Sequence, residues 1–287
     1  MMQFSTLIDV AQLSRWLDRG EWVILDCRFA LVDPQIGHDQ YLEGHIPSAH
    51  HADLEAHLSS RVIEGVSGRH PLPDRRQLSR RFREWGVNPH VQIVSYDHGD
   101  GAFAARLWWL ARWLGHTEVA VLNGGLRAWR QVNGTVEEGP ASPRPKGRFR
   151  ASRPQTREVD AEEVLSICKS GAICKSETVI VDARAHERFR GDVEPIDPVA
   201  GHIPTASCMP FGENLDDDGY WLDPAALRRR FDGLANVPAV SYCGSGVTAA
   251  HNILAMVHAG LPEPSLYPGS WSEWIQDPTR PIARDDG

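Results

Sequence analysis

Val23-Ile24-Leu25-Asp26-Cys27-Arg28 is the first copy of a motif that returns as Val179-Ile180-Val181-Asp182-Ala183-Arg184. Three further motifs are repeated in the same order, namely residues 44–49 at 201–206, residues 94–97 at 240–243 and, more loosely, residues 123–129 at 268–274. Ordered repeats at comparable spacings are the signature of a duplicated structural unit. The sequence therefore predicts two copies of one domain.

Each copy alternates short apolar runs with segments of helical periodicity. Residues 23–25 and 92–96 are typical of buried strands, whereas residues 9–17 and 104–113 place apolar side chains at helical spacing. Strands that alternate with helices favour a mainly parallel sheet flanked by helices. We therefore predict an α/β fold in each half.

The boundary between the two copies is visible in the composition. Residues 137–147 are rich in proline, glycine and charge, and proline removes backbone donors that a helix or a strand needs. We predict a first domain at residues 1–137, a linker at 138–157 and a second domain at 158–287.

Composition also excludes several classes of function. The formal net charge of -8 argues against a general nucleic-acid binder, which needs a basic surface. The sequence shows no secretory signal and no stretch near the roughly 20 apolar residues of a membrane span. The five cysteines form neither a disulfide framework nor a C-x-x-C zinc pattern. We therefore expect a cytoplasmic enzyme with no metal, no cofactor and no membrane or nucleic-acid partner.

A cysteine opens the loop Cys243-Gly244-Ser245-Gly246-Val247-Thr248, which lies between a strand-like run and a helical segment. Open α/β sheets bind ligands at the carboxyl ends of their strands. Glycines let several backbone N–H groups point at one spot, and a helix N-terminus adds a positive dipole end. We expect Cys243 to be a reactive thiolate that holds an anionic outer sulfur, with the Ser245 and Thr248 hydroxyls as additional donors. An inert buried cysteine is the alternative.

The first copy provides an internal comparison for this loop. It has Asp97 where the second copy has Cys243, and Asp100 follows three residues later. Two acidic side chains would repel an anionic substrate. We therefore predict that the second copy is active and that the first is degenerate.

The motifs of the second half resemble those of the tandem-domain rhodaneses, a family of thiosulfate and 3-mercaptopyruvate sulfurtransferases. They are Asp-x-Arg, Gly-His-Ile-Pro, Cys-Gly-Ser-Gly-Val-Thr-Ala and Tyr-x-Gly-Ser-Trp-Ser-Glu-Trp. The resemblance extends over nearly the whole chain and includes the inactive first domain. It implies two rhodanese-like domains, a persulfide on Cys243 and a ping-pong transfer from a small-molecule donor. The acceptors that it implies are cyanide, thiols or thioredoxin-like proteins.

The resemblance also implies roles for residues outside the loop. Arg188 matches the arginine that binds the donor's anionic group, and a guanidinium can pair bidentately with such a group. His70, which follows Arg69, lies in a segment that resembles the family's His-x-Leu-Pro motif. We expect His70 to form a proton relay with Ser245, and Glu55 aligns with the acid that would assist it.

The sulfur donor stays open between two types. Gly244 and Ser245 carry no charge, as in the mercaptopyruvate type, whereas the thiosulfate type places Arg and Lys after the cysteine. Mercaptopyruvate enzymes also carry an arginine nine residues beyond Arg188, where this sequence has the acid Asp197, as in the thiosulfate type. We expect Asp197 and Arg69 to line the substrate cleft. We predict a preference for 3-mercaptopyruvate, with thiosulfate as the alternative.

Two further functions compete with sulfur transfer. A rhodanese-fold phosphatase needs a Cys-x5-Arg loop, but the residue six positions after Cys243 is Ala249. A non-catalytic sulfur carrier or interaction module is the alternative from another class. Asp97 is consistent with such a role in the first half, whereas the Cys243 loop and Arg188 argue against it in the second.

Overall fold

The computed structural model describes residues 3–17, 21–173 and 178–284, so that Cys174 lies outside the described residues. The chain divides into two compact units, which are both discontinuous in sequence. The first unit consists of residues 1–60, 72–156 and 217–221, and the second consists of residues 61–71, 157–216 and 222–287.

Among its described residues, the first unit is built around one sheet of five short strands. The strands are β1 (Leu7–Ile8), β2 (Val23–Asp26), β3 (His50–His51), β4 (Ile93–Tyr96) and β5 (Val119–Leu122). Their order in the sheet is β1-β5-β4-β2-β3, and all four pairs are parallel. The helices are α1 (Val10–Leu17), α2 (Pro34–Glu43), α3 (Arg75–Glu84), α4 (Ala102–Trp113) and α5 (Gly125–Gln131). The central strands are wholly buried, as expected for a parallel sheet covered on both faces.

Within residues 178–284 and the other described parts of the second unit, the same plan is repeated with four strands. The strands are β6 (Val179–Asp182), β7 (Ser207–Cys208), β8 (Ala239–Tyr242) and β9 (Ser265–Leu266). Their order is β7-β6-β8-β9, and the three pairs are parallel. The helices are α6 (Ala161–Ile173), α7 (His186–Arg190), α8 (Pro224–Arg230), α9 (Thr248–His258) and α10 (Ser270–Trp274), with short 3-10 turns at Phe211–Asn214 and Asp232–Leu234.

Two parallel sheets flanked by helices confirm the predicted α/β fold. In the part of the chain that the structure describes, no helix is long and apolar enough to cross a membrane. The core of each unit packs tryptophans against the central strands, with Trp22 and Trp129 in the first unit and Trp271 and Trp274 in the second.

Each unit includes a segment from the other half of the sequence. Residues 61–71 follow β3 in the chain but belong to the second unit, whereas residues 217–221 follow β7 but belong to the first. Both segments hold the same place in the repeat, between a two-residue strand and the next α-helix, α3 or α8. The domain boundaries given above, at 137 and 158, stay a prediction.

Three of the repeated motifs form one buried hydrogen-bond network in each unit. In the second unit, Arg184 Nη2 donates to the Asp182 carboxylate at 2.7 Å and to the Gly201 carbonyl oxygen at 2.7 Å. The Ile203 N–H donates to the Tyr242 hydroxyl at 3.1 Å. The corresponding residues of the first unit are Arg28, Asp26, Gly44, Ile46 and Tyr96. Because both units contain this network, it belongs to the fold that the two repeats share.

Candidate active site

Cys243 lies at the carboxyl end of β8 and is almost fully buried, with 2% of its surface exposed. The loop after it turns sharply at Gly246, whose φ of 76° is in the left-handed region. A Cβ atom on Gly246 would lie 2.5 Å from the Pro268 carbonyl oxygen, so that only glycine fits here. The turn directs the Gly246 N–H toward Cys243 Sγ at 3.1 Å. Helix α9 begins two residues later, at Thr248.

The backbone of Cys243 is held from the other side by the start of α10. Its N–H donates to Ser270 Oγ at 3.1 Å, and its carbonyl oxygen accepts the Trp271 N–H at 2.9 Å. The Ser272 N–H donates to the Gly244 carbonyl oxygen at 2.9 Å. Sequence reasoning used these residues only as a family marker and assigned Ser270 no role. Its contact with Cys243 spans 27 positions, and no periodic pattern indicates it.

His70 and Ser245 lie together, as the relay hypothesis requires. His70 Nδ1 is 2.7 Å from Ser245 Oγ, and both residues are buried. The preceding backbone is fixed by the Arg69 N–H, which donates to Ser272 Oγ at 3.1 Å. A hydroxyl in this position can exchange a proton with the imidazole and with a group bound over the loop. Glu55 belongs to the first unit, where its N–H donates to Asp53, and its part in the relay stays a prediction.

Two guanidinium groups lie over Gly244. A Cβ atom on Gly244 would be 2.8 Å from Arg69 Nη2 and 3.6 Å from both Arg188 Nη1 and Nη2. The glycine after Cys243 therefore leaves room for two cations at the loop. Both predicted substrate arginines are thus brought to one place, although they are separated by more than a hundred residues in the sequence.

Two buried carboxylates hold these arginines. Glu194 accepts from Arg188 Nη2 at 2.6 Å and from Arg188 Nε at 3.2 Å, and it also accepts from Arg184 at 3.3 Å. Asp197 pairs with Arg69 through one oxygen and accepts from Arg188 Nη2 at 3.3 Å through the other. Glu194 had no predicted role, since nothing in the local sequence indicates that it contacts two arginines.

The two carboxylates respond differently to this environment. Burial raises the pKa of Asp197, as does the neighbouring Glu194, and the nearby Arg69 and Arg188 only partly offset this. Burial also acts to raise the pKa of Glu194, but hydrogen bonds from Arg188 and from the backbone outweigh it and lower the pKa. Of the two carboxylates, Glu194 therefore keeps its negative charge to a lower pH and is the stronger ion-pair partner of Arg188.

The matching loop of the first unit shows what this backbone geometry binds. Asp97 occupies the position of the cysteine and is 1% exposed. Its carboxylate accepts four backbone N–H bonds of 3.0 to 3.2 Å, from Gly99, Gly101, Phe103 and Ala104. Burial and the nearby Asp100 nevertheless raise the pKa of Asp97 to about 7, against the effect of these bonds. The loop of this repeat is therefore a nest of N–H groups that surrounds a carboxyl group.

Both halves of the chain match the same protein family. Residues 9–132 and residues 160–277 each match the Rhodanese-like domain. The chain belongs to the rhodanese family of tandem-domain sulfurtransferases. It is an enzyme of the sulfurtransferase class, since full-length relatives with this activity in their names resemble it along nearly the whole chain.

The similar rhodaneses carry names of both donor types. A Pseudomonas aeruginosa protein named "Probable 3-mercaptopyruvate sulfurtransferase" is 47% identical over 99% of this chain and 100% of its own length. The thiosulfate sulfurtransferase of Bos taurus is 32% identical over 88% of this chain and 84% of its own length. The crystal structure of SseA from Escherichia coli, described as a 3-mercaptopyruvate sulfotransferase, superposes with a TM-score of 0.79 at 32% identity and covers 94% of this chain and all of SseA.

Proposed function

We propose that this sulfurtransferase carries sulfur as a persulfide on Cys243. The observation that carries the proposal is the 3.1 Å bond from the Gly246 N–H to Cys243 Sγ, in a loop whose counterpart surrounds the Asp97 carboxylate with N–H groups. A backbone N–H in this position can donate a hydrogen bond to the anionic outer sulfur of a persulfide. A thiol in this place is suited to take up sulfur and to release it again.

With 3-mercaptopyruvate as donor, the Cys243 thiolate attacks the donor's thiol sulfur. The carbon–sulfur bond breaks, its electron pair stays on the carbon, and the thiol proton moves to that carbon to give pyruvate. Ser245 and His70, 2.7 Å apart, are placed to move this proton. In the second step, a thiolate or cyanide attacks the outer sulfur, becoming a persulfide or thiocyanate, and Cys243 is released as the thiolate.

Two features support 3-mercaptopyruvate as the preferred donor. Gly244 and Ser245 place no cation after the cysteine, and the Ser245–His70 pair offers the proton transfer that forming pyruvate requires. Thiosulfate is the alternative, favoured by the acid at Asp197 and by the name of the bovine relative. A comparison of kcat/KM for the two donors, with cyanide as acceptor, decides between them. A higher value for thiosulfate would overturn this preference.

The carrier role has a direct test. Cys243→Ser is expected to abolish turnover and to prevent the gain of one sulfur atom that mass spectrometry should detect after incubation with donor alone. Cys208→Ser is the matched control, because Cys208 is half-buried and burial raises its pKa to about 12. Sulfur transfer at an undiminished rate in the Cys243 variant would contradict the mechanism. That result would also exclude the non-catalytic alternative, because the protein would still catalyse sulfur transfer.

The acceptor and the cellular location are proposed on less specific grounds. A thiol, cyanide or a thioredoxin-like protein is suited to attack the outer sulfur of the persulfide, and the family resemblance favours these three. A cytoplasmic location stays a prediction. A phosphatase is not supported, because helix α9 begins at Thr248 and leaves Cys243 a loop of only residues 244–247.

A further inference from the structure

In the described part of the chain, one side of the Arg69 guanidinium, formed by Nε and Nη2, has no hydrogen-bond partner and lies beside the loop of residues 243–248. Its Nη1 pairs with Asp197, and its backbone is anchored through Ser272. Within the described residues its Nε is shielded from solvent and has no hydrogen-bond partner, and Nη2 is directed at Gly244. Nε and Nη2 form the side of a guanidinium that matches the two oxygens of a carboxylate.

Arg188 differs from Arg69 in this respect. Its Nε and Nη2 both donate to Glu194, at 3.2 and 2.6 Å, and Nη2 also contacts Asp197 at 3.3 Å. The carboxylate-matching side of Arg188 is therefore occupied by the protein. Nη1, 3.6 Å from the Cβ position of Gly244, is left to contact a ligand at the loop.

We infer that Arg69 binds the carboxylate of the sulfur donor bidentately, while Arg188 contributes a single N–H contact beside it. This inference rests on the proposed function, because it assigns the donor to the same loop. It also explains how the site tolerates an acid at residue 197. Asp197 does not face the loop as a free anion, because one oxygen holds Arg69 and the other contacts Arg188.

The charges at the site indicate which class of donor it takes. Arg69 and Arg188 contribute two positive charges, and Glu194 and Asp197 contribute two negative charges, so that the four groups sum to zero. A dianion would find no net positive charge here. A monoanion that fits one bidentate edge, such as a 2-oxo carboxylate with a terminal thiol, matches the arrangement better.

The experiment measures the preference of Cys243 for an anionic reagent in the full-length protein. Iodoacetate and iodoacetamide both alkylate a thiolate with loss of iodide, but only iodoacetate carries a carboxylate. The ratio of their rates at Cys243, followed by peptide mass spectrometry, reports the anion site without requiring turnover. The same preparations are assayed for KM and kcat with 3-mercaptopyruvate.

Three variants separate a binding role from a structural one. Arg69→Gln is expected to lower the iodoacetate-to-iodoacetamide ratio about tenfold and to raise KM for 3-mercaptopyruvate about 10- to 100-fold, with a smaller change in kcat. Arg69→Lys keeps the charge but lacks the two parallel N–H groups, and it is expected to retain only part of the ratio. Arg190→Gln is the matched control, because Arg190 pairs with the exposed Asp192 on the same unit. It is expected to change neither quantity.

The outcomes distinguish this inference from the proposed function. If the unmodified enzyme transfers no sulfur from either donor, the proposed function fails, and the alkylation ratio still tests Arg69 as an anion-binding group. If the enzyme is active and Arg69→Gln leaves the ratio or KM unchanged, the inference is overturned and the Arg69–Asp197 pair is only structural. Full retention of the ratio in Arg69→Lys would also overturn it, because a point charge alone would then account for the attraction.

Discussion

Gly246→Ala is expected to slow sulfur transfer strongly while leaving the nucleophile in place. Gly246 has a left-handed φ of 76°, and an added Cβ atom would lie 2.5 Å from the Pro268 carbonyl oxygen. The loop therefore has to shift, and its shift moves the Gly246 N–H away from Cys243 Sγ.

The size of the effect follows from the bond that is lost. A hydrogen bond to a charged group contributes about 1.5–3 kcal/mol. Since about 1.4 kcal/mol corresponds to a factor of ten, the rate of persulfide formation should fall roughly 10- to 150-fold. The left-handed conformation costs alanine a further 1–2 kcal/mol, roughly, so the free energy of unfolding should fall as well.

The assay is single-turnover formation of the persulfide with donor in excess and acceptor absent, read by mass spectrometry. Gly212→Ala is the matched control, because a Cβ atom there meets nothing within 4 Å and its φ is not left-handed. Thermal unfolding of each variant reports stability separately. A Gly246→Ala enzyme that forms persulfide within about twofold of the normal rate would refute the assignment of this N–H to the sulfur.

Three further predictions concern other parts of the molecule. His70→Gln is expected to lower kcat with 3-mercaptopyruvate about 100-fold, whereas an unchanged kcat would exclude a relay through Ser245. Arg184→Met should lower the free energy of unfolding by about 3–5 kcal/mol, measured by urea denaturation, because it leaves the buried Asp182 unpaired. The pKa of Asp97 is raised to about 7 in the folded protein, so its contribution to stability is present below about pH 4 and is lost as the pH rises through 7. Asp97→Asn should therefore reduce the difference in Tm between about pH 5 and about pH 8, and an unchanged difference would contradict this.

Much of the fold could be predicted because its determinants are local or repeated. The alternation of strands and helices, the duplication and the loop at Cys243 are all visible in short stretches of sequence. The partners of the site residues are not. Asp197 lies 128 positions from Arg69, and Glu194 contacts Arg188 and Arg184 through a turn that has no periodic pattern.

The role of Asp197 is the clearest example of this limit. Taken alone, an acid in place of an arginine indicates a site that repels an anionic donor. In the folded chain, its carboxylate contacts Arg69 and Arg188 and is not directed at the loop as an unpaired charge. The charge of one residue could not be interpreted until its three-dimensional neighbours were known.

The exchange of residues 61–71 has a consequence for how this gene can evolve. Arg69 and His70 are encoded in the first half but belong to the unit that contains Cys243. A shortened gene that encoded only the second repeat would lack both Arg69 and His70. Under the proposed mechanism, the first repeat stays necessary for the reaction although it has Asp97 where the second repeat has Cys243.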